Sequence, residues 1–196
     1  MRKIFRSVSL LAALVLLFSS SAAFGKGKAD HVRWDIISVD FTTTPATLSP
    51  GGVAFASVAD TNLKIKLTGK GTFVAPASGG TSSAVTGGGT WETFNGSMST
   101  GSGTYQVTKL ASWELANFQT PGVIIDNIGN AKEGANGNAV LKIEYSDGSL
   151  GILGLGCQGP GAPAGIQEGV IATKDFVTYW SSEAPYFTDF HLRLRR

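Results

Sequence analysis

Three copies of one phrase, Thr-Gly-x-Gly-Thr-aromatic, stand at residues 68–73, 86–91 and 100–105, written TGKGTF, TGGGTW and TGSGTY. Each lies in a stretch that alternates apolar and polar residues, so each reads as part of a β-strand. In a strand, residues i, i+2 and i+4 share a face. The two glycines and the aromatic of each copy therefore look one way, and the threonines look the other. Paired glycines leave a hollow where a sheet bends sharply, and an aromatic from a neighbouring strand can fold over it. The copies begin 18 and 14 residues apart, which suits successive strands of a meander. The phrase predicts strongly curved, glycine-rich sheet. It leaves open whether Phe73, Trp91 and Tyr105 turn into a core or form a row that stacks on a ligand.

A phosphate-binding loop is a poor reading of the same residues. None of the copies has the third glycine of a dinucleotide fingerprint, and none ends in Gly-Lys-Ser/Thr. A complete GxGxxG spells Gly154-Leu155-Gly156-Cys157-Gln158-Gly159, but PGAP follows it and cannot open the helix that such a loop needs.

The remaining chain keeps the period of two. HVRWDIISVDF alternates with a slip at Ile36-Ile37, read as two strand halves joined by a bulge. TTTPATLSPGG reads as a turn-rich loop, and LKIKLTGKGTFV as one clean strand. AVLKIEYSDGSLGILGLG reads as a β-hairpin turning at Ser-Asp-Gly. NIGNAKEGANGN reads as a loop or one short helical turn, and YFTDFHLRLR as a strand with Phe190, Leu192 and Leu194 facing in. Eight to ten strands without a βαβ pattern predict an all-β fold, an antiparallel barrel or sandwich built on a glycine-rich meander.

Residues 1–25 read as a signal peptide, with Arg2, Lys3 and Arg6 ahead of an apolar run from Val8 to Phe18 and small residues up to Ala23 or Gly25. The run is too short for a stable membrane anchor. The expected product is a single soluble domain over residues 26–196, exported to the periplasm or the outside. Sixteen Lys and Arg fall to thirteen once the leader is removed, against fourteen acids that all lie beyond Gly25, so the net charge moves from +2 to −1. That balance argues against a nucleic-acid binder. The single cysteine, Cys157, excludes an intramolecular disulfide and reads as a buried, inert thiol.

Residues with chemistry are sparse. His31 and His191 alternate with apolar residues and are expected at the surface, and neither has metal-ligand spacing around it, so no metal or cofactor is expected. No GxSxG marks a nucleophile. Glu92, Glu114, Glu144 and Glu168 lie on or near strands, but a glycosidase needs two carboxylates about 5–9.5 Å apart. DNIGNAKEGAN carries side-chain oxygens without the spacing of an EF-hand loop. The best candidate is Glu168, between a Gly/Pro-rich loop and a strand with Lys174, Tyr179 and Trp180. A loop-borne Glu beside aromatics is a reasonable ligand contact. With Trp91 and Tyr105 as platform residues, these six form the candidate binding set.

ADHVRWDIISVDF, TGGGTWETF, YSDGSLGIL and EGVIATKDFVTYW together resemble a group of uncharacterised exported bacterial β-proteins. The resemblance covers most of the chain beyond the leader and implies no activity or site. In fold alone, the glycine-rich meander resembles small barrels of the allene oxide cyclase and dirigent type. The function expected is non-catalytic binding of a small apolar or carbohydrate-like ligand. The alternatives are a barrel-mouth hydrolase or isomerase using Glu and Asp, or a structural envelope protein.

Overall fold

A computed structural model describes residues 28–193; the segment read as a signal peptide and Leu194 lie outside them. Strands β1 (Asp30–Asp40), β2 (Ala46–Pro50), β3 (Ala54–Ser57), β4 (Leu63–Leu67) and β5 (Lys70–Ala75) come first. Strands β6 (Val85–Asn95), β7 (Met98–Phe118) and β8 (Ile124–Asp126) follow, then a 3-10 turn at Ala131–Glu133. The chain ends with β9 (Gly134–Tyr145), β10 (Leu150–Cys157), β11 (Gly169–Lys174), β12 (Val177–Tyr179), β13 (Ser181–Glu183) and β14 (Thr188–Leu192). The protein is all-β, and β1, β5, β6, β7, β9 and β14 pair in an antiparallel ring that closes a six-strand barrel. Strands β10 to β12 continue the sheet outward from β9, and β4, β3 and β13 continue it from β6.

The repeated phrase sits where this sheet bends. Leu67 pairs with Trp91 and Lys70 with Gly88, the same offset, so β4 and β5 act as one strand bent at Thr68-Gly69. Gly71 faces Gly87, whose φ of +103° is closed to ordinary side chains. Trp34 of β1 covers the hollow: a Cβ on Gly71 would stand 2.8 Å from its Nε1, and one on Gly69 3.1 Å from its ring. Trp91 does the same over Gly101 and Gly103. The threonines face outward and join hydroxyls across strands, Thr68 to Thr90 at 2.7 Å and Thr72 to Thr86 at 2.8 Å.

The open question about the aromatics is thereby answered. Phe73, Trp91 and Tyr105 are all buried in the barrel core with Trp34, Tyr145 and Phe190. Tyr105 donates its hydroxyl to Thr68 O at 2.8 Å, and Trp91 donates its ring N–H to Thr104 O at 3.1 Å. Their polar ends are satisfied internally, as buried aromatics require.

Three expectations change. Among the described residues fourteen strands replace eight to ten, because segments read as loops carry short strands; TTTPATLSPGG contains β2, and β9 starts inside NIGNAKEGANGN. The slip at Ile36-Ile37 is a change of partner within one continuous strand. Up to Ile36, β1 pairs with β14; from Ile37 it pairs with β2. Ile36 packs in the barrel, whereas Ile37 packs in a second small core with Leu48 and Ile128. The strand β2 also pairs in parallel with β8, and together they form a flap against the barrel wall. The third change concerns His191, which is 4% exposed rather than on the surface. The flap and the segment after it cover the face that alternation alone assigns to solvent. Among the described residues, no helix is long and apolar enough to cross a membrane.

Candidate functional site

Strand alternation sends Tyr179 inward, 4% exposed, and the next residue, Trp180, outward, 59% exposed. Trp180 forms one wall of a groove of about 660 Å³. Gly154 pairs with Val140 and Ile171, and Gly156 pairs with Asn138 and Gly169, so these six residues lie in one row-pair across β9, β10 and β11 and line the groove as its floor. The GxGxxG stretch thus acquires a structural meaning. A Cβ on Gly154 would stand 2.5 Å from Ile171, and one on Gly156 would stand 2.2 Å from Gln167 O. Gln158, Gln167, Ser181, Ser182 and Tyr186 complete the lining with amides and hydroxyls.

Glu168 stands between this groove and a second cavity. Its Oε2 accepts from the Gln158 amide at 2.6 Å; its Oε1 accepts from the Thr188 amide at 2.6 Å and the Thr188 hydroxyl at 3.2 Å. One carboxylate therefore fastens both ends of the 158–168 loop to β14. Burial pushes its carboxyl up from the ordinary 4.5 to about 7, against those hydrogen bonds, which favour the charge.

The second cavity, about 380 Å³, lies under the flap, walled by Ile37, Val39, Phe41, Leu48, Ile124 and Phe187. Its polar lining is Gln119, Gln158, Glu168, Thr188 and Asp189. Behind it lies a buried charge cluster on the outer face of β1 and β14. Asp35, opposite Asp189 in register, is held by Arg33 through Nε at 2.6 Å and Nη2 at 2.8 Å. His191 Nε2 and Asp126 Oδ2 are 2.7 Å apart, and Gln119 donates to Asp189 Oδ1 at 2.9 Å. Burial pushes Asp189 up to about 7, where the repulsion of Asp126 adds to it. Burial also works on Asp126, but the His191 hydrogen bond and the Ile128 amide outweigh it and hold that group at about 2. Cys157 is buried, as expected, and burial keeps its thiol well above the usual range.

Of the six candidate residues, the structure brings Glu168 and Trp180 together in the groove. Trp91, Tyr105, Tyr179 and Lys174 line neither the groove nor the flap cavity. The Lys174 ammonium lies 4.4 Å from the Trp91 ring centre and 4.9 Å from that of Tyr145, and pairs with Asp147 and Asp175. It is a buried cation neutralised at the barrel end.

Asp126, Asp189 and Gln119 were not singled out in the sequence, and His191 was expected at the surface. One signal was present: Asp189-Phe190-His191 places an acid and an imidazole on the same face of a strand. Comparison with family models, curated proteins and solved structures finds no match.

Proposed function

We propose that the protein is an exported, non-catalytic binding protein that holds a small carbohydrate-like ligand in the groove beside Trp180. The observation that carries this reading is the exposed indole beside a groove whose glycine and aliphatic floor is edged by amides and hydroxyls. A flat apolar ring beside hydrogen-bonding groups complements a sugar, which presents an apolar face edged with hydroxyls. A pocket with a few converging polar groups on an apolar frame is the usual form of a small-molecule site.

Binding is favoured over catalysis by the count of carboxylates. Among the described residues, Glu168 is the one carboxylate lining the groove, and glycoside hydrolysis needs two. Its oxygens are also engaged by Gln158 and Thr188, a holding role. A small apolar molecule is the second ligand class, favoured by the apolar walls of the flap cavity. Screening the purified protein against glycans and small apolar compounds, with thermal shift as readout, tests both readings. Hits that depend on Trp180 support the first, and hits indifferent to Trp180 but lost on filling the flap cavity support the second.

A further inference from the structure

The geometry points to a divalent metal site formed by Asp189 Oδ2 and His191 Nδ1, at the buried edge of the flap cavity. These two atoms are 3.3 Å apart, yet neither has a hydrogen-bond partner, and both side chains are less than 5% exposed. Two complementary buried atoms this close would ordinarily satisfy each other, because an unpartnered buried polar group is costly. Their separation instead matches two ligands on one tetrahedral ion. Bonds of about 2.0–2.1 Å place such ligands about 3.4 Å apart.

The surroundings fit the same assignment. The other imidazole nitrogen, Nε2, is 2.7 Å from Asp126 Oδ2. An Nε2–H donated to that carboxylate leaves Nδ1 as the lone pair, the arrangement by which outer carboxylates orient metal-binding histidines. Asp126 is itself fixed, since its Oδ1 accepts from the Ile128 and Gly129 amides. Gln119 fixes Asp189 through the oxygen that the metal would not use. Asp126, Asp189 and His191 also bring one ligand atom each within 4.8 Å of the others.

Arg33 pairs with Asp35, which leaves Asp126 and Asp189 as the carboxylates beside His191. A mixed nitrogen and oxygen set suits Zn2+ and its neighbours among the first-row ions. Asp189 lines the flap cavity, which places the site at that cavity's inner edge.

The test uses the full mature chain without a histidine tag, stripped with chelator and titrated with ZnCl2 by calorimetry. One equivalent should bind. Asp189→Asn and His191→Gln should each weaken it at least tenfold, Asp126→Asn should weaken it about 10- to 100-fold, and His31→Gln should leave it unchanged. X-ray absorption at the zinc edge of the wild-type protein should show one imidazole together with oxygen ligands, a readout independent of whether the variants fold. No saturable zinc binding, zinc without imidazole scattering, or undiminished binding by folded Asp189→Asn and His191→Gln would each overturn the assignment.

Discussion

Trp34 lies across Gly71, its direct partner on β5, so closely that a Cβ on the glycine would stand 2.8 Å from the indole Nε1 and 2.2 Å from Thr86 O. The pair makes the repeated phrase an architectural device. Glycines remove side chains from the inside of a bend, and a tryptophan from the next strand fills the space. Gly71→Ala is expected to destabilise the fold by about 1–3 kcal/mol, the usual range for overpacking. Thr72→Ala, on the exposed outer face, should change it by no more than about 0.5 kcal/mol. Equilibrium urea unfolding of both variants checks the contrast.

The aromatics of the phrase belong to the core, and the groove tryptophan does not. Trp91→Ala is expected to cost about 3–5 kcal/mol, as truncation of a buried aromatic does. Trp180→Ala should stay within about 0.5 kcal/mol of wild type in the absence of ligand. Comparable losses in the two variants by chemical denaturation would show that Trp180 is a packing residue.

Glu168 gives the fold a pH dependence with a definite sign. Its carboxyl is raised to about 7 in the folded protein from an ordinary 4.5, so the folded state holds the proton more tightly. The stability it contributes is complete below about pH 4.5 and is lost as pH rises through about 7. Between pH 4 and 8, wild type should lose on the order of 3 kcal/mol relative to Glu168→Gln, which carries no titrating group there. Thermal or urea unfolding across that range reads the difference, and parallel profiles would remove Glu168 as its source.

Much of the barrel was legible in the chain because its rules are local. Alternation placed Phe73, Trp91 and Tyr105 with their glycines on one face and the threonines on the other, and the YSDGS turn gave the β9–β10 hairpin. The residues of the candidate sites divide along the same line. Glu168 and Trp180 could be found from a loop, a strand and their neighbours. Asp189 and His191 could not, because what buries them is the flap from elsewhere in the chain, the one that carries Asp126. Alternation reports the two faces of a strand, and it says nothing of a second layer over the outer one. Ile36 and Ile37 carried the same information, since adjacent apolar residues in one strand need two cores to fill.

The most direct test of the account is the thermal shift of wild type and Trp180→Ala against the same oligosaccharide panel. At least one sugar should raise the wild-type Tm; at 100 times Kd the stabilisation amounts to about 2.7 kcal/mol. The shift should disappear in Trp180→Ala while the unliganded Tm is unchanged. A panel that shifts neither protein, or a shift that survives in Trp180→Ala, would contradict the assignment of the groove as a carbohydrate-binding site.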